Sequence, residues 1–158
     1  MTDRSTAHAT FTIERDLAHP PARVFRAFAD PAAKARWFVG PDGSATTDHA
    51  LDFRDGGAEH LATHLPDGRL VTFDATYRDI VPDERIIYPY DMHIGGERIS
   101  VSLACIELGP TADGTHLTVR EHGIYLDGLD QVADRERGTR ELLDKLEASL
   151  EAAPAGAA

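Results

Sequence analysis

Residues 11–43 constrain the fold more than any other part of this sequence. Phe11, Ile13 and Arg15 alternate with polar residues, which is the two-residue period of a half-buried strand. Pro20 and Pro21 then interrupt the alternation, and a proline suits the first turn of a helix. The chain is therefore predicted to open with a strand that leads directly into a helix.

The predicted helix is short and amphipathic. Val24, Phe25 and Phe28 fall on one side at helical spacing, and Asp30 with Pro31 breaks the run. Residues 32–37 predict a second short turn of helix, which ends in an aromatic pair before a glycine- and proline-rich turn.

The middle of the chain predicts a meander of antiparallel strands. Segments rich in β-branched and aromatic residues are separated by turn sequences that contain glycine, proline and aspartate. The predicted strands are residues 49–54, 59–65, 70–80, 86–92, 99–108 and 115–123.

A long C-terminal helix is predicted to end near residue 151. Apolar residues recur along one face at spacings of three and four, and the same face carries Arg135 and Thr139. Strand, two short helices, several strands and one long helix describe an α+β helix-grip fold, in which a curved antiparallel sheet wraps around the last helix. We expect one domain over residues 9–151, with flexible tails at 1–8 and 152–158.

Several short motifs occur in the order that one known family has them. The sequence resembles the Activator of Hsp90 ATPase homologue 1-like (AHSA1-like) branch of the SRPBCC, or START-like, superfamily over roughly residues 9–150. The resemblance supports the helix-grip fold but does not indicate one activity, because this superfamily uses one scaffold for several functions. The residues that carry it are Arg15, Pro20 or Pro21, Val24, Phe25, Phe28, Asp30, Pro31, Trp37, Phe38, Pro41, Asp42, Gly43, Asp52, Arg54, Gly56, Gly57, Pro66, Asp67, Gly68, Tyr77, Ile80, Pro82, Glu84, Arg85, Ile86, Thr115, Leu117 and Thr118.

Charge and composition disfavour several classes of partner. The chain has 27 acidic against 16 basic residues, a net charge of -11, which repels nucleic acids and anionic membrane surfaces. The single cysteine, Cys105, excludes an internal disulfide, and no apolar run approaches the length of a membrane span or a signal peptide. We expect a cytoplasmic protein that binds neither nucleic acid nor membrane. Edge strands in this fold often pair, so a homodimer is left open.

The sheet and the last helix should diverge at one end and leave a cavity. Alternation along residues 99–108 predicts that Val101 and Leu103 point into this cavity together with Ile99 and Cys105. The same rule on the last strand gives the inward set Leu117, Val119 and Glu121.

Aromatic residues are predicted to line much of the cavity, which favours an apolar or ring-bearing ligand. Each could equally be an ordinary core residue. The full set of predicted lining residues is Trp37, Phe38, Phe53, Phe73, Tyr77, Tyr88, Tyr90, Val101, Leu103, Leu117, Val119, Glu121, Thr139 and Leu142.

Glu121 is the one candidate for acid–base catalysis. A carboxyl group in an apolar pocket would have a raised pKa and could act as a general acid or base, or as an anchor for a ligand. Alternatively, Glu121 lies at the mouth of the cavity and is solvated or paired with an arginine.

The sequence predicts neither a metal site nor a cofactor site. His60 and His64 are four residues apart, but on a strand this spacing spans about 13 Å, too far for both nitrogens to bind one zinc ion. The chain also lacks the glycine-rich phosphate loops and paired cysteines of cofactor-dependent enzymes.

One departure from the family pattern affects the cavity. Many members carry Gly-Trp where this chain has Gly138 and Thr139. The missing ring would enlarge the pocket, or Tyr125 would fill the space. A glycine inside a helix also suggests that the sheet approaches closely there.

Three classes of function follow. The first is a small-molecule-binding protein with Tyr77, Tyr90 and Glu121 as polar anchors. The second is a cyclase, dehydratase or hydrolase that uses a cavity carboxylate. The third, by analogy with the family name, is a co-chaperone-like interaction protein.

Overall fold

The computed structural model describes residues 3–152, so residues 1–2 and 153–158 of the tails predicted at 1–8 and 152–158 lie outside the described residues. Within that range the chain forms eight strands and three helices, and the predicted α+β helix-grip fold is confirmed. The elements are β1 (Thr6–Leu17), α1 (Pro21–Ala29), α2 (Pro31–Ala35), β2 (Ala45–Leu51), β3 (Ala58–His64), β4 (Leu70–Thr76), β5 (Asp79–Val81), β6 (Arg85–Ile94), β7 (Glu97–Pro110), β8 (Thr115–Leu126) and α3 (Val132–Ala152).

The strands form one antiparallel sheet in the order β1-β8-β7-β6-β4-β3-β2, with β5 paired to β6. β1 begins at Thr6 and pairs with β8 from Leu126 onwards. Residues 6–8, which the sequence places in a tail, therefore belong to the sheet.

The strand predicted over residues 70–80 is divided into β4 and β5. Tyr77 leaves the ladder because its backbone N–H donates to Gly57 O at 2.9 Å and its carbonyl accepts from Gly56 N at 2.7 Å. A Cβ at Gly57 would lie 2.0 Å from the carbonyl oxygen of Asp52, so only glycine fits this turn. The Asp-x-Arg-x-Gly-Gly motif is thus a packing requirement.

The C-terminal half of α3 packs into the main core. Leu143, Leu146 and Leu150 are buried against a cluster that includes Phe11 and Ile13 of β1. The N-terminal half of α3 borders open space instead, which places the candidate site between this half of the helix and the sheet.

Candidate functional site

A cavity of about 400 Å³ lies between α3 and the inner face of the sheet. Its walls are mostly aromatic and aliphatic, and solvent-exposed residues at Pro41, Asp134 and Glu141 mark its rim. The lining residues predicted from the sequence that are found there are Trp37, Phe38, Phe73, Tyr88, Tyr90, Val119, Glu121, Thr139 and Leu142. Contact of any of them with a ligand stays a prediction.

A β-bulge changes the expected orientation of β7. Met92 of β6 pairs with Ser100, but the next residue, His93, pairs with Arg98. Ile99 is therefore an extra residue on β7, and it reverses the alternation of every residue that follows.

The prediction that Val101 and Leu103 line the cavity is therefore wrong. Their side chains lie on the outer face of the sheet and are 38% and 44% exposed. The inner face of β7 carries Ser100, Ser102 and Ala104 instead, all buried. These small side chains leave room for larger groups on β6 and β8 to meet across β7.

Three other predicted lining residues, Leu117, Phe53 and Tyr77, belong to the core rather than the cavity wall. Leu117 is fully buried, and Phe53 packs edge-on against Tyr77 with ring centroids 4.9 Å apart. Cys105, which the sequence also places inward, is partly exposed on the outer face because of the same bulge.

The first polar group on the cavity wall, here called the Glu121 cluster, consists of Glu121, Tyr90, Arg135, Ser100 and Asp130. The Tyr90 hydroxyl, on β6, donates to Glu121 Oε1, on β8, and accepts from Arg135 Nη1 at 3.0 Å. Arg135 Nη2 donates to Ser100 Oγ at 2.7 Å and to Asp130 Oδ2 at 2.6 Å. The arginine thus has a carboxylate of its own, separate from Glu121.

Burial raises the pKa of Glu121 above its ordinary value, and this effect outweighs the hydrogen bond from Tyr90 and the nearby charge of Arg135. Burial likewise raises the pKa of Tyr90, which keeps the phenol protonated as a donor. The cavity therefore contains a carboxyl group that is protonated more readily than an ordinary glutamate.

The second polar group, here called the Glu59 cluster, consists of Glu59, Lys34, Tyr77 and His49. Both carboxylate oxygens of Glu59 have hydrogen-bond partners within it. Lys34 Nζ and the Tyr77 hydroxyl each donate to Glu59 Oε1 at 2.6 Å, and His49 Nε2 lies 2.8 Å from Oε2. Burial alone would raise the pKa of Glu59, but the charge of Lys34 and these hydrogen bonds lower it below its ordinary value.

Local sequence explains how Lys34 reaches this position. Asp30 caps α2 by accepting from the Ala33 N–H at 2.9 Å, and Pro31 occupies the first turn. The ammonium group of Lys34 also lies 4.5 Å from the centroid of the Phe38 ring, a cation–π distance.

Trp37 is held rigidly at the cavity wall. Its indole N–H donates to Ala27 O at 2.9 Å, and its ring packs edge-on against Phe28 with centroids 5.0 Å apart. Trp37 therefore packs against the core and also lies on the cavity wall.

Gly138 lines the cavity, and a Cβ placed there would meet nothing within 4 Å. The expected close approach of the sheet is therefore wrong. The Tyr125 ring folds back over Gly123 of its own strand, so it lies away from the space beside Gly138.

The grouping of Lys34, Glu59 and His49 is not predicted from the sequence, although one signal points to it. Glu59 falls on the same face of β3 as the inward Leu61, since the two are two residues apart. Arg135 was noticed on the apolar face of α3, and its burial explains that position.

Residues 3–152 contain neither a metal-binding cluster nor a membrane-spanning helix. No group of three or more His, Cys, Asp or Glu side chains in this range could hold a metal ion. None of the helices there is long and apolar enough to cross a membrane.

Comparison with known proteins agrees with this fold. Residues 18–151 match the family described as Activator of Hsp90 ATPase homolog 1-like protein. A putative uncharacterized protein from Rhizobium leguminosarum is 45% identical, with 95% of this chain and 99% of that chain covered and a TM-score of 0.91. The Mll3558 protein from Rhizobium loti is 47% identical, with 92% and 99% covered and a TM-score of 0.85.

A more distant structure, the AHSA1-like protein from Aeromonas hydrophila, is 20% identical over 91% of this chain and 93% of that chain. Its TM-score of 0.69 supports the fold alone. Among curated proteins, none matches this sequence.

Proposed function

Because this chain belongs to the Activator of Hsp90 ATPase homolog 1-like family, we propose that it binds an apolar or aromatic small molecule between its sheet and its C-terminal helix. Cytoplasmic location, the exclusion of nucleic acid and membrane as partners, and a homodimer remain predictions from the sequence.

The cavity beside α3 is the observation that carries this proposal. Its volume of about 400 Å³ lies within the range of about 300–1,000 Å³ that small-molecule sites usually have. Phe38, Phe73 and Tyr90 form a continuous aromatic wall, with centroids 5.0 Å and 4.9 Å apart along this series. Planar apolar ligands pack well against such a wall.

The second candidate function is an enzyme that uses Glu121 as its acid–base group. The raised pKa of this buried carboxyl favours the idea, because general acids and bases work best when their pKa is near the working pH. Binding is the simpler proposal, since it needs only the cavity.

Ligand binding can be tested with a neutral aromatic probe, 1-naphthalenemethanol, measured by isothermal titration calorimetry. Gly138→Leu is the informative variant, because the new side chain starts at a point of open space on the cavity wall. Ala148→Leu adds the same side chain to an exposed position of α3 and serves as the matched control.

We expect saturable binding at one site per chain, unchanged in Ala148→Leu and weakened at least about tenfold in Gly138→Leu, since the cavity no longer admits the ring. Trp37, the only tryptophan, reports the same event through its fluorescence. Equal binding by both variants, or the absence of saturable binding by the unmodified protein, would overturn the proposal.

A further inference from the structure

Among the buried charged side chains at the cavity in residues 3–152, all but one belong to an ion pair. Arg135 lies 2.6 Å from Asp130, and Lys34 lies 2.6 Å from Glu59, so each buried cation has its own carboxylate. Glu121 is the remaining buried carboxyl on this wall. Its link to Arg135 runs through the Tyr90 hydroxyl, which is uncharged.

Besides Tyr90, Glu121 has one neighbouring hydroxyl, and that hydroxyl has a second acceptor for its single proton. Thr139 is the other hydrogen-bonding neighbour of this carboxyl. However, the Thr139 hydroxyl donates its one proton to Arg135 O at 2.9 Å. While that bond is kept, an ionised Glu121 has an open acceptor position beside the cavity.

The charged and titratable groups around Glu121 do not supply the missing donor. Tyr90 and Tyr88 face it from β6, Tyr125 from its own strand, and Arg135 with Asp130 from the start of α3. Arg135 is already engaged by three acceptors. A buried carboxylate without a counter-charge is costly, so it stays protonated or obtains a cation from outside.

The remaining walls suit a cation with an apolar body. Aromatic faces attract ammonium groups as well as apolar rings. Asp134 and Glu141 at the rim are acidic, and the rim cation Lys145 lies 3.8 Å from Asp42 Oδ1, so it has a carboxylate of its own. A negatively charged ligand would meet like charges both at the rim and at Glu121.

We propose that the ligand is an apolar or aromatic molecule that carries a protonated amine, and that this amine pairs with Glu121 inside the cavity. The inference rests on the proposed binding function and specifies its ligand class. Glu121 supplies the counter-charge, the aromatic wall holds the ring, and the acidic rim favours entry of a cation.

Pairing of the amine with Glu121 couples ligand binding to the protonation state of this carboxyl group. Glu121 is protonated more readily than an ordinary glutamate because of its burial. It must lose that proton when an ammonium group binds. Affinity for the amine should therefore rise as the pH rises through the pKa of Glu121, until the amine itself loses its proton.

Three probes with one ring system test the proposal: 1-naphthylmethylamine, 1-naphthalenemethanol and 1-naphthoic acid. In the unmodified protein near neutral pH, we expect the amine to bind at least about tenfold more tightly than the alcohol, because a hydrogen bond between charged groups is stronger than one between neutral groups. The acid should bind most weakly.

Glu121→Gln keeps the size of the side chain and an acceptor for Tyr90 but removes the charge. We expect the amine preference to fall to within about threefold, with little change for the alcohol. Asp134→Asn is the matched control for the rim, and it should retain most of the preference. If Glu121→Gln does not fold, the unmodified protein is titrated with the amine by isothermal titration calorimetry in two buffers of different ionisation enthalpy. The difference between the two measured enthalpies reports proton release on amine binding.

The outcomes separate the two proposals. If the alcohol binds but the amine has no advantage, or if the advantage survives Glu121→Gln, this inference is overturned and the binding function stands. If none of the three probes binds, both are overturned.

Discussion

Glu59 and Glu121 are both buried carboxyl groups on the same sheet, yet their surroundings differ in one decisive respect. Glu59 has three donors, one of them the ammonium group of Lys34. Glu121 has one phenol and a threonine hydroxyl that it shares with Arg135 O, and its nearest cation is already paired with Asp130. As a result, the pKa of Glu59 is lowered and that of Glu121 is raised.

This difference distinguishes a buried carboxylate that stabilises the fold from a buried carboxyl group that we propose binds a ligand. A carboxylate that has a hydrogen-bond partner on each oxygen and a cation beside it stabilises one arrangement of α2, β2 and β3. A carboxyl that has fewer donors and lies beside a cavity is expected to contribute less to the fold, and it is the group that we propose pairs with a ligand. Burial alone would not have distinguished the two residues.

Removing the cation of the Glu59 cluster should have the largest effect on stability. Lys34→Met leaves Glu59 buried without a counter-charge, so we expect a loss of about 3–5 kcal/mol in the free energy of unfolding, measured by urea denaturation. The Lys34→Met/Glu59→Gln double variant should recover part of this loss. A single-variant loss below about 1 kcal/mol would show that the pair contributes little.

The two carboxyl groups should respond to pH in opposite directions. The stability that Glu59 contributes is present above its ordinary pKa of 4.5 and is lost as the pH falls through its lower folded value. Glu121 behaves inversely: above pH 4.5 the unfolded chain ionises first, so the stability it contributes is lost as the pH rises through the folded pKa.

Urea denaturation of Glu59→Gln and Glu121→Gln across this pH range would check both signs. We expect the deficit of Glu59→Gln to shrink towards acidic pH. Glu121→Gln should gain stability relative to the unmodified protein as the pH rises, by less than Lys34→Met loses. Parallel curves for the two variants would contradict the comparison.

Gly138→Ala tests whether the cavity side of the molecule tolerates added volume. The new methyl group meets nothing within 4 Å, and alanine is favoured over glycine inside a helix by about 1 kcal/mol. We expect the Tm to rise by about 2–4 °C, measured by thermal denaturation. A lower Tm would mean that the space beside α3 is closed.

The smallest effect on the free energy of unfolding is expected for a surface ion pair. Arg54 lies 2.9 Å from Asp52, but both side chains are more than half exposed. Arg54→Ala should therefore change the free energy of unfolding by less than about 1 kcal/mol, in contrast to Lys34→Met. A larger loss would indicate that this motif contributes through its charge as well as through the packing of Gly57.

Most of the fold could be predicted because strand and helix periods are local properties of the sequence. The opening residues 11–43 predicted β1, α1 and α2 in order, and the apolar face of α3 predicted its packing. The division of β4 from β5 could not be predicted, since it depends on hydrogen bonds between Tyr77 and a turn about 20 residues earlier.

The candidate site was predicted less completely. Glu121 was placed inward because β8 keeps its alternation, whereas the orientation of Val101 and Leu103 was wrong because of a bulge. Nothing in the sequence around Ile99 signals that extra residue. The pairing of Lys34 with Glu59 joins elements 25 residues apart, so it needed the tertiary structure.

Because of the bulge at Ile99, the loss of one residue would change which side chains of β7 face the cavity. Deleting that one residue would turn the following part of β7 over, so that Val101 and Leu103 would face inward and Ser100 would leave Arg135. The insertion or deletion of a single codon would thus exchange the small inner side chains of β7 for larger apolar ones. Such a change would alter the space inside the cavity without replacing any of the lining residues on β6 and β8.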